Sequence, residues 1–478
     1  MRPKRSKRLT AIAVVIISAL VSTSPVYAIS IQDEKEMGHE FEKVMHRYFT
    51  LVEDPVIIGY VEQIGNKLLD VIPTQPFDYK FYVIKEEVYN ASAFPAGHIF
   101  INSGLLADLQ SEDELAGILA HEIGHAVRRH ISQRIEKSKK IDLATLAGVV
   151  AGVMIGAATG EAAATQALVI GSAAAGQTAS LAYSRENEAE ADQLGIQYMT
   201  RAGYNPAGLL AALKRIRSRQ WFGSDQVPTY MMTHPALENR ITWLDAWIAA
   251  HPDKVHSNPK TSAQHQSVFQ KINIRIKALY MEPNQAANYF KTAVSNHPDD
   301  ADLAYGYSLA LDRIGDRNQA ITYLKKALTH NALDPYILSD LGRIYFVSGR
   351  YKEALRSLEG SLTLKNDNPQ ALLYLGRTLM ALGRFEDAAS NFETVIKKGN
   401  SYQQVYYFLG ETYSKLNRTA ESHFNLGIYH FKKNDYRNAR FHLMRASKQL
   451  EDPTKRKAAA DLLKQIDKSL RKSEEKKG

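Results

Sequence analysis

The chain has 478 residues, of which 45% are apolar and 23% are charged. This ordinary globular balance excludes a wholly disordered chain, a collagen-like fibre and a polytopic membrane protein. Cysteine is absent, which excludes disulfide scaffolds, thiolate-bound metals and thiol nucleophiles. The net charge is +9, but five of these charges lie within the first 28 residues. The four that remain on the rest of the chain are too few to indicate nucleic-acid binding.

The first 28 residues have the pattern of a secretory signal. A cationic stretch precedes the apolar run Ala11–Val21, and small and polar residues follow as far as Val26-Tyr27-Ala28. The apolar run is short for a transmembrane helix, which needs about 20 residues. We therefore predict export with cleavage after Ala28, and the alternative is an uncleaved N-terminal anchor.

Residues 29–250 have the pattern of a mainly helical α+β domain with a small sheet. Apolar residues at helical spacing predict helices, and alternating apolar residues predict strands. The predicted helices cover 31–48, 55–71, about 111–137 and about 184–203, with a further helix after Asn205-Pro206, and the predicted strands cover 79–84 and 97–102. Ser111 and Glu114 form a capping-box pattern at the start of the third helix.

The segment 251–267 is polar, contains two prolines and has no hydrophobic period, so we predict an interdomain linker. From residue 268 to the end the chain repeats itself. Alanine recurs every 34 residues, and Phe or Leu follows four residues later in each copy, at Ala286, Ala320, Ala354 and Ala388. This period is the signature of the tetratricopeptide repeat, a stack of helix pairs. Residues 268–478 are therefore predicted to form an α-solenoid.

The repeat register shifts near the C-terminus. Leu426-Gly427 follows Leu409-Gly410 by 17 residues, which is half a repeat. We expect a truncated unit at this point, such as a lone helix.

A metal-binding motif lies within the helix predicted at 111–137. The sequence His121-Glu122-Ile123-Gly124-His125 puts two imidazoles four residues apart, and therefore on one helix face. Both can bind one Zn²⁺ ion, with Glu122 beside them as the base that takes a proton from the attacking water. The longer metzincin motif needs Gly at 128 and His at 131, where this chain has Arg128 and Ile131. His130 is off the ligand face and is interpreted as a surface histidine.

A carboxylate should complete the site, because the chain has no cysteine and no third histidine on this face. The candidates are Glu186, Glu188 and Glu190, in the helix predicted to begin near Ser184. Glu188 and Asp192 share a helix face, so Glu188 can bind the metal while Asp192 accepts the free N–H of a ligand imidazole. Spacing alone does not choose among the three glutamates, and a solvated charged face would account for all of them.

These two segments together resemble the HtpX-like and CAAX-prenyl-protease-like zinc metallopeptidases. The resemblance rests on the motif at 121–125 and on Ser184-Arg185, Glu188 and Ala191-Asp192. It implies a zincin-type fold with one zinc ion per chain, held by His121, His125 and Glu188. Together with the signal sequence and the repeats, it implies a periplasmic protein whose partners are outer-membrane barrel proteins and their assembly machinery.

The resemblance extends to segments on either side of these motifs. Asn90-Ala91 and Pro95–Ile99 resemble the family's edge strand beside the cleft, which implies that substrate contacts Asn90, Ala91, Gly97 and His98. Further along, His234-Pro235 is followed by Arg240, a further candidate for substrate contact.

His234 has three interpretations. It can donate to the oxyanion of the tetrahedral intermediate. It can instead bind the metal as a fourth ligand and close the site, which the resemblance favours as an inhibitory switch. Finally, it can cap the helix expected to start at Pro235.

Two uncharged segments, Leu143–Gly160 and Ala162–Tyr183, separate the two ligand helices. Their length would suit membrane spans. They are rich in Ala and Gly, which gain little in lipid, so we predict a helical lid over the cleft in preference to a membrane hairpin.

The motifs predict an exported zinc endopeptidase with a repeat module that recruits clients. The resemblance further implies that it degrades misfolded or stalled envelope proteins and assists outer-membrane barrel assembly through its repeats. The alternative is a tetratricopeptide chaperone or scaffold whose zinc site is closed by four protein ligands. Glu122 discriminates between the two, because a structural site has no use for a base.

Overall fold

The computed structural model describes residues 29–73, 75–137, 183–221, 229–255, 259–330, 333–397 and 403–475. The predicted signal at 1–28 and the predicted lid, apart from its last residue, Tyr183, lie outside these ranges. Within them, no helix is both long enough and apolar enough to cross a bilayer.

The N-terminal domain packs helices around a small sheet, which confirms the predicted mainly helical α+β class. Its strands are β1 Lys80–Ile84, β2 Ala91–Phe94 and β3 His98–Asn102. Its helices are α1 Ile31–Tyr48, α2 Pro55–Leu69, α3 Ser103–Asp108, α4 Glu112–Val127, α5 His130–Lys137, α6 Arg185–Arg201, α7 Ala207–Trp221, α8 Thr229–Thr233 and α9 Leu237–Ala250.

The sheet has the order β1-β3-β2, so β3 is central and β2 lies at an edge. β1 runs parallel to β3, and β2 runs antiparallel to it. A tight turn at Pro95–Gly97 joins β2 to β3, and its residues Ala96 and Gly97 have positive φ angles of 63° and 80°. The residue pattern did not predict strand β2, because Ala-Ser-Ala-Phe lacks the β-branched residues that mark strands. Only the resemblance implied an edge strand at this segment.

The two helices that carry the metal-binding motif and the acidic motif cross at short range. A Cβ atom on Gly124 of α4 would lie 3.1 Å from the carbonyl oxygen of Ala191 on α6, and one on Gly195 would lie 3.3 Å from the backbone nitrogen of His121. Glycine at these two positions therefore allows the backbones to approach. This close crossing brings the side chains of α4 and α6 to one point.

The helix predicted over 111–137 is in fact two helices. Ser111 caps α4 as predicted, its Oγ accepting a hydrogen bond from the Glu114 N–H at 3.1 Å. The helix then ends at Arg128, because Arg129 adopts a positive φ of 54°. His130 begins α5 in a new direction, which periodicity could not show because the apolar pattern continues through the break.

The predicted linker becomes helical at its midpoint. Helix α10 runs Pro259–Tyr280, and its residues Phe269, Ile272 and Ile276 belong to the same buried core as the N-terminal domain. Asn273 donates hydrogen bonds to the carbonyl oxygens of Ala107 and Leu109 at 2.8 and 3.0 Å. This helix therefore ties the two domains together.

Helical hairpins follow α10 to the end of the described chain. They are α11 Pro283–Asn296, α12 Ala301–Arg313, α13 Arg317–His330, α14 Pro335–Val347, α15 Tyr351–Leu364, α16 Pro369–Ala381, α17 Phe385–Lys397, α18 Gln403–Lys415, α19 Thr419–Lys432, α20 Tyr436–Gln449 and α21 Pro453–Glu475. The recurring spacing of glycine has a steric cause, since a Cβ on Gly376 would lie 2.5 Å from the ring of Phe392 in the partner helix.

The half-repeat shift does not leave a lone helix, so that expectation was wrong. Helix α19 packs against α18, where Gly410 faces Leu426, and also against α20, where Gly427 faces Leu443. One helix thus serves as the second member of one pair and the first member of the next. This double role explains why the Leu-Gly spacing is 17 residues, and the stack continues without interruption.

Candidate active site

Four side chains from three parts of the N-terminal domain converge at one buried point. His121 and His125 come from α4, Glu188 comes from α6, and His234 directly follows α8. Each offers a ligand atom within 4.8 Å of the other three. None of the four side chains is more than 1% exposed.

The spacing of these ligand atoms is that of a tetrahedral metal site. The Nε2 atoms of His121 and His125 are 3.0 Å apart, and Nδ1 of His234 is 3.3 Å from Nε2 of His121. Oε1 of Glu188 lies 3.3 Å from Nε2 of His125 and 3.2 Å from Nδ1 of His234. Tetrahedral ligands at about 2.0–2.1 Å from a zinc ion are about 3.3 Å from one another. The donor set and its spacing therefore fit one Zn²⁺ ion.

Each of the three imidazoles also has a partner for its outer nitrogen. Nδ1 of His121 lies 2.9 Å from Oδ1 of Asp192, Nδ1 of His125 lies 2.9 Å from Nδ1 of His130, and Nε2 of His234 lies 3.2 Å from the carbonyl oxygen of Ala91. An acceptor at the outer nitrogen fixes the tautomer and leaves the inner nitrogen with its lone pair toward the site. The predicted contact between Asp192 and a ligand imidazole is thus present in the geometry.

The interpretation of His130 as a surface histidine was wrong. The side chain is 1% exposed, and its Nε2 lies 3.1 Å from Oε2 of Glu190. If Nε2–H donates to Glu190, Nδ1 of His130 is free to accept the N–H of His125. The break at Arg129 turns His130 toward the site, and no signal in the sequence pattern marks that break.

Arg240 lies behind the site, so the expectation that it contacts substrate needs correction. Its side chain is 4% exposed, and it donates from Nε and Nη2 to Asp192 at 2.8 and 2.7 Å. Its Nη1 forms an ion pair with Oε2 of Glu188 at 2.6 Å. Arg240 is therefore a positioning residue that holds both carboxylates.

Arg240 also sets the charge state of these carboxylates. Burial by itself would raise the pKa of Glu188, but the Arg240 guanidinium and His234 outweigh it and hold the pKa well below its ordinary value. In the same way, burial of Asp192 is outweighed by Arg240, and the pKa of Asp192 is lowered. Both groups are thus kept as carboxylates.

Glu122 is fully buried and lacks a hydrogen-bond partner among the described residues for either carboxylate oxygen. Nε2 of His234 lies 3.5 Å from Oε1 of Glu122. Burial raises the pKa of Glu122 despite the opposing effect of His234 and His121. A buried carboxyl group without hydrogen-bond partners destabilises the fold, so its presence is explained by a role in a reaction. Its placement beside the ligand set suits a group that accepts and returns a proton.

Two side chains cover the free side of the edge strand β2. Antiparallel pairing turns the carbonyl oxygens of Ala91 and Ala93 away from β3. His234 contacts the first of these oxygens, and the Tyr183 hydroxyl donates to the second at 3.2 Å. The Tyr183 ring also stacks on His125 at a centroid distance of 3.7 Å. Tyr183 was not predicted as a site residue.

His234 does not cap the following helix, which removes one of its three interpretations. Helix α9 begins at Leu237, and its N-cap residue Ala236 makes no side-chain capping bond. The His234 ring instead stacks on Tyr230 at a centroid distance of 4.3 Å, with its nitrogens at Glu188 and Ala91.

The residues expected to contact substrate divide into two pairs. Asn90 and Ala91 lie at the site, where Oδ1 of Asn90 accepts a hydrogen bond from Thr233 at 3.4 Å. Gly97 and His98 do not lie on the edge strand, so their expected role needs correction. Gly97 forms the β2–β3 turn, and His98 begins the central strand, where its Nδ1 lies 3.1 Å from the Tyr82 hydroxyl.

Comparison with known proteins shows which protein families the two halves of the chain resemble. Residues 58–248 match Peptidase family M48, and residues 301–331, 345–390 and 373–453 match tetratricopeptide repeats. Residues 58–248 thus resemble an M48 metallopeptidase domain, and tetratricopeptide repeats follow, which confirms the predicted resemblance. The match to M48 points to a bound metal, as the four-residue cluster also indicates.

The curated relatives share this class. The chain is 29% identical over 254 residues to the beta-barrel assembly-enhancing protease of Yersinia pestis, which covers 53% of this chain and 51% of that protein. It is 31% identical over 216 residues to a putative beta-barrel assembly-enhancing protease of Vibrio cholerae, covering 45% and 44% of the two chains. It is also 24% identical to the mitochondrial metalloendopeptidase OMA1 of Schizosaccharomyces pombe, covering 46% and 62%. The aligned part spans about half the length of the beta-barrel assembly-enhancing relatives.

Among solved structures, the MamA protein matches with a TM-score of 0.30 and 19% identity, covering 32% of this chain and 85% of that one.

Proposed function

We propose that this protein is an exported zinc endopeptidase that cuts misfolded or stalled envelope proteins, which its tetratricopeptide repeats recruit. The observation that carries the proposal is the buried set His121, His125 and Glu188 beside the unpartnered carboxyl group of Glu122. The names of the relatives support a role at the assembly of outer-membrane barrels.

In this proposal His121, His125 and Glu188 hold one zinc ion, which when bound polarises a peptide carbonyl and acidifies water. Glu122 takes the proton of the attacking water and returns it to the leaving amine. Asp192 and His130 hold the two helix imidazoles in the tautomer that leaves Nε2 free. Arg240 keeps Glu188 and Asp192 in place as carboxylates.

Substrate backbone then pairs with the free edge of β2, and the carbonyl oxygens of Ala91 and Ala93 accept its N–H groups. Main-chain pairing of this kind gives weak sequence preference, because it does not depend on side chains. It also requires that His234 and Tyr183 leave these two oxygens. We therefore propose that the arrangement with His234 at the ligand set is a closed state, in which His234 restrains the enzyme.

One comparison of variants tests the catalytic assignment. Glu122→Gln should keep one equivalent of zinc and lose hydrolysis of a denatured, dye-labelled protein by roughly 10²–10⁴, because an amide cannot accept the proton. Glu188→Gln should lose both zinc and hydrolysis. Glu186→Gln, on the same helix but exposed, is the matched control and should change neither. Loss of zinc in Glu122→Gln, or of both properties in Glu186→Gln, would show that the roles are assigned wrongly.

The second candidate is a chaperone or scaffold whose zinc site is structural. One observation favours it: Nδ1 of His234 provides a fourth ligand atom, at tetrahedral spacing from those of the other three residues. A purely structural site would bind zinc in the wild type and in His234→Ala, and neither protein would hydrolyse the denatured substrate. Hydrolysis that depends on Glu122 excludes this candidate as the sole function.

A further inference from the structure

The repeat domain presents one arginine that lies among three aromatic rings. The Cζ atom of Arg377 on α16 is 4.6 Å from the ring centre of Phe346, 4.9 Å from that of Tyr374 and 4.8 Å from that of Phe408. These rings come from the successive first helices α14, α16 and α18, so three repeat units contribute to one site. We call this group the Arg377 cluster.

The Arg377 cluster lies on the side of the repeats that faces the peptidase domain. Gln370, also on α16, receives a hydrogen bond at 2.8 Å from Arg275 of α10, and Arg275 in turn contacts Asp54 of the N-terminal domain. Arg377 follows Gln370 by two helical turns and so shares its face, roughly 10 Å further along the axis. A chain bound at Arg377 would therefore lie on the face of the repeats that turns toward the peptidase domain.

Arg377 lacks an ion-pair or hydrogen-bond partner among the described residues, whereas Arg350 and Arg418, which also lie over aromatic rings, have one. Arg350 and Arg418 each lie over one ring, at 4.6 and 4.4 Å, and each pairs with the glutamate three residues later, at 2.8 and 2.7 Å. The carboxylates of Asp312 and Asp340, on nearby first helices, are both engaged by Arg343. Arg377 is half-buried, and its planar guanidinium keeps its donors free for a ligand.

We propose that the Arg377 cluster binds an acidic side chain within an extended segment of a client protein, next to an aromatic residue of that segment. A carboxylate matches the guanidinium as a bidentate acceptor, and the surrounding rings hold the guanidinium in one plane by cation–π contact. The proposal deepens the proposed function, on which it rests, by naming the segment that the repeats recruit.

The neighbouring surface explains the aromatic part of this preference. Beyond Phe408, the rings of Tyr407 and Tyr429 continue at centroid distances of 5.6 and 5.4 Å. Tyr407 is 37% exposed, so an aromatic side chain beside the bound carboxylate meets an accessible ring. Offset or edge contacts between rings favour such a pair over an aliphatic residue. Together with the Arg377 cluster, the row of rings runs across the three first helices α14, α16 and α18 and on to α19.

Fluorescence anisotropy with the full chain carrying Glu122→Gln tests the site, because this variant binds the probe without cutting it. The probe is a short labelled peptide with an amidated C-terminus that contains Phe-Glu-Phe in a Gly/Ser background. The matched peptide contains Phe-Gln-Phe, and a third contains Phe-Gln-Phe with a free terminal carboxylate. We expect the Glu peptide to bind about tenfold tighter than the Gln peptide, as one charge-assisted bidentate contact provides.

Adding Arg377→Gln should abolish this preference, while Arg377→Lys should keep only part of it, because an ammonium group cannot make the bidentate contact. Arg384→Gln is the control, since Arg384 is half-exposed and already paired with Asp387 at 2.6 Å, and it should keep the full preference. Equal binding of the Glu and Gln peptides, or an unchanged preference in Arg377→Gln, overturns the proposal. Tighter binding of the peptide with the free terminus overturns the choice of an internal acidic residue. If the unmodified chain binds the Glu peptide but does not hydrolyse the denatured protein, only the proposed protease function is contradicted.

Discussion

Nδ1 of His130 lies 2.9 Å from Nδ1 of His125, although a helix break separates the two residues. One of these nitrogens must donate to the other, and the Glu190 carboxylate at the far side of His130 favours His125 as the donor. The ligand nitrogen of His125 is thereby oriented through a relay of two further residues. Such outer partners tune metal affinity without touching the metal.

This relay predicts that His130→Phe weakens zinc binding by roughly 10–100-fold, because His125 loses the acceptor for its N–H. His130→Asn places a carbonyl oxygen near the same point and should restore much of the affinity. Competition with a chromogenic chelator measures both variants. Zinc affinity in His130→Phe equal to that of the wild type would show that the relay does not orient His125.

His234 provides a second prediction, in which the direction of the change in hydrolysis rate distinguishes a restraining role from a catalytic one. If His234 closes the site and the open state is populated at about 1–10%, His234→Ala should raise hydrolysis of a denatured protein roughly 10- to 100-fold. Self-cleavage of the variant is expected for the same reason. A drop of roughly 10²–10³ in kcat with zinc retained would instead identify His234 as an oxyanion donor. His251→Ala, which changes a histidine packed on Trp247, is the control and should leave the rate unaltered.

Arg275 predicts how firmly the two domains are joined. The side chain is 1% exposed, binds both oxygens of Asp54 at 2.9 and 2.7 Å, and also contacts Asp340 and the Tyr305 hydroxyl. Arg275→Met leaves the Asp54 carboxylate without its counter-charge and removes one of the two arginines at the buried Asp340, so it should lower the free energy of unfolding by about 3–5 kcal/mol.

The matched control for Arg275 is an exposed ion pair. Arg440→Met breaks a pair with Asp467 in which both side chains are about half exposed, and it should cost about 1 kcal/mol or less. Urea unfolding followed by circular dichroism compares the two variants. A loss in Arg275→Met no larger than in Arg440→Met would mean that the buried arginine does not stabilise the domain contact.

The sequence pattern predicted the parts of the fold that depend on local chemistry. The capping residues Ser111 and Ser184 begin helices in the structure as expected, because a side chain that satisfies the first N–H groups acts within one turn. The 34-residue period predicted the solenoid for the same reason, since each unit repeats the same small and large residues. The convergence of α4 with α6 followed only from resemblance, because spacing alone left three glutamates open.

What the pattern could not predict depends on tertiary packing. Arg240 carries one of the strongest interactions of the site, but in sequence it is an arginine on an amphipathic helix like many others. The edge position of β2, the turn at Gly97 and the contact of Tyr183 with Ala93 depend on how distant segments meet. The expected substrate contacts of Gly97 and His98 were wrong, because Gly97 lies in the turn after the edge strand and His98 begins the central strand.

The buried position of His98 gives the last prediction, which concerns pH. Burial lowers the pKa of His98 from 6.5 to about 4, with Lys80 and His39 acting in the same direction and Glu42 opposing them. Between these two values the unfolded chain binds a proton that the folded chain does not, so stability falls as the pH falls from about 6.5 to about 4. His98→Gln removes this contribution, and the loss of stability between pH 7 and pH 5 should shrink by about 2 kcal/mol relative to the wild type.

Urea unfolding at both pH values, with metal chelated throughout so that its release does not contribute, measures the difference. His297→Gln, a change at an exposed histidine, should leave the pH dependence as in the wild type. A pH dependence of His98→Gln that coincides with the wild type would show that His98 takes up its proton in the folded state.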